Sequence, residues 1–292
     1  MHMEPIVPLT DVENFAEGLD HAEGICVAPD GTIYCGGEAG QLYVINPDDT
    51  PREIANTGGF MLGLAADGDG NVYAIDLVNS TVWRFSPDGS ERSVFCTGND
   101  EQSLGVPNWG AFDADGHYYL TDSGGWGEQN GFVWVQRPGA QAEVWSTESV
   151  NFPNGCAVSA DGSRLWIVES YPSAIVEIPI EPDGSAGARR ELCDLGLAVP
   201  DGIVETTDGS LVVSCYRPDT IFVWHAETGL QVLATDPRGA IIAAPTNCVF
   251  TGEDRDLLVF PNLGRWHLSR FRTPYRGVGC FYPSAARIAG DE

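Results

Sequence analysis

Five oxygen-bearing side chains stand at matching places in a stretch of sequence that repeats along the chain, and two of them are carboxylates. They are Glu23, Asn108, Asn154, Asp201 and Asn247, with the apolar Leu62 holding the sixth place. Each precedes a short apolar run, a turn usually written Asp-Gly, and a second apolar run ending near an acidic or hydroxyl side chain. If these places converge in space, two carboxylates among amides would be costly to hold together without a compensating cation. A cage made only of oxygen suits a hard divalent ion. Calcium is expected first, with magnesium, manganese or zinc as other possibilities.

Something must bring residues so far apart in sequence together. The six copies start 39, 46, 46, 47 and 46 residues apart. A period in the forties, with strand, turn and strand inside it, points to propeller blades of about four strands. The fold expected is therefore all-β: a six-bladed β-propeller with four-stranded antiparallel blades, forming one domain over residues 1–292. In such a wheel the innermost strand of each blade lines the central channel, so equivalent positions form a ring. Residues 10–17, TDVENFAE, match the segments that precede the other inner strands, so the N-terminal strand is expected to complete the last blade and close the ring. A strand from 277–282 is the competing closure. Asn or Asp beside Gly also favours simple turns, and Pro153–Asn154–Gly155 or Pro200–Asp201–Gly202 alone could be no more than that. Four in register with Glu23 argue for a ring.

Composition narrows the partners. The 42 Asp and Glu against 15 Lys and Arg give a net charge of −27, which argues against nucleic acid or an anionic membrane. Many of these acids are the turn aspartates Asp30, Asp69, Asp115, Asp161 and Asp208, expected to shape the turns between first and second strands. The start, MHMEPIVPLTDVENF, has no charged-then-apolar leader pattern, and no stretch is apolar enough to span a bilayer, so a cytoplasmic location is expected. The eight cysteines contain no CxxC pair. Cys26, Cys35, Cys156, Cys215 and Cys248 fall in expected strands, as buried reduced thiols. There is no GxSxG elbow, no P-loop and no GxGxxG after a strand, so serine-hydrolase and nucleotide chemistry find no support.

The connections between second and third strands should share a face with the ring. The longest, TDSGGWGEQNG in blade three, brings Trp126, Glu128 and Gln129. The others bring Glu38, Asn79, Tyr171, Tyr216, Arg217, Arg265 and Trp266. Aromatic groups mixed with two arginines would suit a small, oxygen-rich or anionic substrate. Among the histidines only His21, two residues before Glu23, could reach the pocket; His2 belongs to the extreme start.

The motifs AEGICVAPDG, PNWGAFDADG, FPNGCAVSADG and VPDGIVETTDG together resemble the senescence marker protein, gluconolactonase and luciferin-regenerating enzyme family, itself related to diisopropyl fluorophosphatase and to Drp-type lactonases. The resemblance runs from Val12 to about Phe271. It implies a six-bladed propeller with one divalent metal held by Glu23, Asn154 and Asp201, while Asn108 binds the metal or contacts substrate and metal-bound water. Two departures bear on substrate. Val106 stands where many sugar lactonases of the family carry Arg, and Trp109 where an Asp follows the asparagine. A less polar lactone or other ester is at least as compatible as a sugar lactone. Asn247 is expected to assist the metal or to hydrogen-bond Asp201.

The function expected is metal-dependent hydrolysis of a small-molecule lactone or related ester, with Asp201 as general base. Asn108, Trp109, Trp126, Tyr171, Tyr216, Asn247 and Arg265 are the candidates for holding substrate. Two alternatives stay open: phosphotriester hydrolysis with Asp201 as nucleophile, and a non-catalytic propeller that binds calcium or another ligand.

Overall fold

In the computed structural model, which describes residues 4–292, 24 strands form six four-stranded antiparallel sheets. His2 lies outside the described residues. Blades one to five are each built from consecutive strands; blade one, for example, uses Ile25–Val27, Ile33–Gly36, Gln41–Ile45 and Pro51–Asn56. Blade six takes Val249–Thr251, Leu257–Pro261 and Leu268–Arg272 from the end of the chain and Glu13–Phe15 from its start.

That N-terminal strand closes the wheel as the sequence suggests, pairing Glu13 with Arg270, Asn14 with Ser269 and Phe15 with Leu268. Side chains reinforce the seam. Ser269 Oγ donates to Asn14 Oδ1 at 2.9 Å, and the Arg270 guanidinium grips both Glu13 and Asp49 while lying 4.4 Å over the Phe15 ring. Upstream, the amides of Ile6 and Val7 donate to the carbonyls of Val232 and Leu233 in blade five.

Strand patterning follows position in the wheel. Second strands are covered on both faces by neighbouring blades, so Val72–Asp76 and Tyr118–Asp122 are buried throughout. Outer strands such as Arg92–Cys96 leave several residues exposed. The core lies between blades: Tyr73 of blade two meets Phe112 of blade three edge-on at 4.9 Å, with Tyr118 and Trp134 in the same cluster.

The turns at the far ends of the inner strands use aspartate as anticipated in three blades, where Asp30, Asp161 and Asp208 accept the amides of Thr32, Ser163 and Ser210. In blades two and three the work shifts two residues earlier. Asp67 accepts from the amides of Asp69 and Asn71, and Asp113 from those of Asp115 and His117. Asp69 instead accepts from the Ala285 amide in the C-terminal segment.

Residues 277–282 do not close the ring. They cross the face opposite the ring residues: Gly277 bridges to Thr206, Val278 N–H donates to Glu205 O at 3.0 Å, and the Tyr282 hydroxyl donates to Val27 O at 2.8 Å. The short helix Ala285–Ala289 follows, capped by the Ser284 hydroxyl, and Arg287 Nη1 reaches Ala114 O of blade three. This segment floors an apolar chamber of about 130 Å³ that every inner strand helps to line. Among the described residues no helix is long and apolar enough to cross a membrane.

Candidate active site

The ring residues owe their aim to a repeated irregularity. In blades two to five the pairing of the first with the second strand slips between Met61 and Leu64, Pro107 and Gly110, Pro153 and Cys156, and Pro200 and Gly202. Leu62, Asn108, Asn154 and Asp201 sit in those slips. A bulge bends the strand and re-aims a side chain that regular pleating would direct elsewhere. Glu23 and Asn247 lie just upstream of Ile25–Val27 and Val249–Thr251. All six residues are buried. Pro153–Asn154–Gly155 and Pro200–Asp201–Gly202 are thus strand segments and not turns.

The glycine that follows several ring residues has a packing reason. A Cβ built on Gly24 would lie 1.8 Å from Leu62 O, and one on Gly155 would lie 2.4 Å from Asp201 O. Gly63 is equally tight against Trp109, and Gly202 against Asn247. Adjacent inner strands approach most closely here, which draws the ring side chains together.

Hydroxyls at the ends of the second strands set the orientation of two ring amides. Asn108 Nδ2 donates to Ser123 Oγ at 3.1 Å, and the Ser123 hydroxyl donates in turn to Pro153 O of the next blade at 2.8 Å. Asn154 Nδ2 donates to Ser170 Oγ at 3.3 Å, and Ser170 donates to Pro200 O at 2.7 Å. Ser214 and Thr246 continue the chain of hydroxyls to Thr246 O and Glu23 O at 3.1 and 2.7 Å. Each link fastens the residue at or just before one ring position to the preceding blade. The sequence pattern contained Ser123, Ser170 and Ser214 as the hydroxyls ending the second apolar run, although their connection to the next blade is a property of the folded chain, and Thr246, just before Asn247, lies outside that pattern.

Carboxylates at the ends of the second strands secure the entry loops. Asp122 accepts from the amides of Gly105 and Val106 at 2.8 and 2.7 Å. Glu169, fully buried, accepts from Ser149, from Asn151 Nδ2 and from two nitrogens of Arg189. Asp76 accepts from the Phe60 amide and from Asn79.

What the ring lacks is a partner for its own oxygens. Glu23 Oε2, Asn154 Oδ1 and Asp201 Oδ1 are enclosed and make no hydrogen bond. Burial raises Asp201 well above the ordinary carboxylate range, the nearby Glu23 charge adds to it, and the Asn154 amide partly offsets it. Burial likewise raises Glu23, against the opposing Thr246 hydroxyl. Two enclosed carboxyl groups that feel each other, beside an amide whose oxygen has no partner, form a donor set suited to a hard cation. Among the described residues no three His, Cys, Asp or Glu come close enough to share an ion, so amide oxygens would have to complete the cage.

The expected substrate residues divide into two groups. Trp126 and Tyr171 stand exposed on the ring face, stacked at 5.5 Å, with Phe152 edge-on to Trp126 at 5.0 Å. Tyr216 is also exposed, with the Arg217 guanidinium 4.7 Å over its ring. Arg217 pairs with Asp219, whereas Arg265 donates to the neutral carbonyl of its neighbour Gly264. Trp109 is buried in the core, its backbone held by Thr121, and it lines the chamber below the ring. Asn247 Nδ2 lies 3.5 Å from Glu23 O, so its amide faces blade one. His21 contacts Asp20, Glu38 and the Trp266 ring, and Gln129 Nε2 donates to Asn151 Oδ1.

Known proteins resemble this chain in sequence or in fold. Lactonase drp35 of Staphylococcus haemolyticus is 27% identical over 119 residues, a stretch that spans 39% of this chain and 37% of that protein. A gluconolactonase of Xanthomonas campestris superposes with a TM-score of 0.77 at 18% identity, covering 94% of this chain and 96% of its own. The calcium-binding protein regucalcin of Agrobacterium tumefaciens gives 0.76 at 12% identity, covering 97% and 99%. At such identities the two superpositions speak for the fold. Residues 22–260 match the SMP-30/Gluconolactonase/LRE-like region, and this protein belongs to that family.

Proposed function

We propose that the protein hydrolyses a lactone or related ester at the ring, with a divalent cation, calcium suiting the donors best. The observation that carries this reading is that three ring oxygens, on Glu23, Asn154 and Asp201, are enclosed and without a hydrogen-bond partner, with Glu23 and Asn154 near enough to Asp201 to shift its ionisation. Those three residues would hold the cation, with Asn108 beside them. The drp35 lactonase and the gluconolactonase with the same fold support the choice of ester chemistry.

When bound, the cation would supply Lewis-acid polarisation of the substrate carbonyl. The chain's own groups do the rest. Asp201 takes a proton from the attacking water as the water oxygen bonds to the carbonyl carbon. It returns that proton to the alkoxide oxygen as the ring C–O bond breaks, leaving a hydroxy acid. Glu23 balances charge, and the Ser170 and Ser123 hydroxyls keep the amide nitrogens of Asn154 and Asn108 turned away, so that the oxygens remain available to the ring.

The test is turnover of a panel of aliphatic and sugar lactones, with and without chelator, by the wild type and by Asp201→Asn. Expected are cation-dependent hydrolysis and a loss on the order of a hundredfold or more in the variant. Cation binding and thermal stabilisation without turnover across the panel would instead mark a binding module. Label from heavy-oxygen water appearing in Asp201 after turnover would assign it as nucleophile and not as base.

A further inference from the structure

The ring face of this acidic chain carries a concentration of exposed apolar surface. Among the described residues the large apolar side chains most open to solvent include Val78, Trp126, Tyr171, Leu197 and Trp266, on connections that open on the ring face, and Tyr216, near the end of the strand Leu211–Arg217 that finishes at that face. The remaining three, Ile6, Val94 and Val144, lie on or against outermost strands. Scattered exposed apolar residues need no explanation, whereas a cluster at the mouth of a polar site does.

We infer that Trp126 and Tyr171 form a subsite that selects lactones bearing a hydrocarbon substituent, which lies against the two rings while the ester sits at the ring of oxygens. This rests on the hydrolase reading above and names its substrate class. Three observations point to it. First, the rings are fixed to the site: Tyr171 follows Ser170, whose hydroxyl holds Asn154, and Phe152, which braces Trp126, stands two residues before Asn154. Second, the backbone that carries Tyr171 and Phe152 is tied down. Ser170 N–H donates to Phe152 O, Tyr171 N–H to Asn151 O, and Asn151 is in turn held by the buried Glu169. A platform ordered in advance binds without a further ordering cost. Third, one of the two arginines that could favour an anionic or oxygen-rich substrate is neutralised: Arg217 pairs with Asp219 and lies over the Tyr216 ring. The net charge of −27 also disfavours an anion.

The experiment compares calorimetric binding of two lactams that cannot be turned over as esters, δ-valerolactam and its 6-pentyl derivative, to the calcium-loaded protein. Wild type is expected to bind the pentyl compound more tightly, by on the order of tenfold, since each fully buried methylene contributes about a three- to fourfold gain and the platform covers the chain on one side. Trp126→Ala/Tyr171→Ala should erase that difference, and Trp126→Phe should keep most of it. In parallel, kcat/KM is measured for δ-valerolactone, 6-pentyl-δ-lactone and glucono-δ-lactone. Equal binding of the two lactams, no binding of either, or a glucono-δ-lactone preference that disappears in the double variant would overturn the inference. If the chain preference appears in lactam binding while no lactone is turned over, the subsite stands and the hydrolase reading fails. If lactones are turned over with no chain preference, the reverse holds.

Discussion

Asn154 and Ser170 are joined at 3.3 Å through Asn154 Nδ2, and the same serine hydroxyl donates to Pro200 O at 2.7 Å, one residue before Asp201. A single oxygen therefore orients one ring residue and anchors the approach to the next. Ser170→Ala should leave the buried Pro200 carbonyl unpaired, costing about 1–3 kcal/mol of stability. Because the Asn154 amide is then free to turn, cation affinity should fall roughly 10- to 100-fold. Calcium titration followed by calorimetry, set beside thermal unfolding of the chelated protein, separates the two effects. Unchanged affinity in a destabilised variant would show that Ser170 only holds the strand.

Chelation should make stability depend on pH. Burial pushes Glu23 up to about 8 from an ordinary 4.5, and Asp201 is raised as well. A folded state that binds protons more tightly than the unfolded chain is favoured below the unfolded value and loses that advantage as pH rises toward the folded one. In chelator, the unfolding temperature should therefore fall between pH 5 and pH 8, and excess calcium should restore it most strongly at pH 8. Glu23→Gln should flatten the chelated profile. A chelated protein equally stable at both pH values would contradict the upward shift of the two buried carboxyls.

Gly155→Ala tests the close approach of blades four and five. The added carbon would stand 2.4 Å from Asp201 O and 2.7 Å from Gly202 Cα, both backbone atoms. Relief requires the two inner strands to separate, so a loss of about 1–3 kcal/mol is expected from overpacking alone. Calcium binding should weaken as well, since the ring is built across that contact. Thermal unfolding with and without calcium reads both effects.

The seam of blade six should owe more to its strand than to its ion pairs. Glu13 and Asp49 are well exposed where they meet Arg270, so Arg270→Ala should cost only about 1 kcal/mol, and less in high salt. Removing residues 1–15 leaves Leu268–Arg272 as an open edge and uncovers the core around Leu268. That truncation should lower the unfolding temperature far more than the point variant does, or prevent folding. Calorimetry of both, at low and high salt, makes the comparison.

The amino-acid sequence by itself determined the wheel and the membership of its ring. Residue type at a fixed period is information carried along one dimension, and a period in the forties with Glu23, Asn108, Asn154, Asp201 and Asn247 in phase admits few other folds. Closure by residues near Glu13 was legible for the same reason, since the segment matches the outer strands of the other blades. Tertiary structure decided what depends on neighbours from another blade. Bulges aim the ring side chains, and Ser170 reaches a carbonyl 30 positions away. Asp219 claims the Arg217 charge that the sequence offers a substrate, and residues 277–282 floor the channel instead of closing the ring. A side chain's chemistry is fixed by its type, whereas its direction and its partners are fixed only when distant strands pack together.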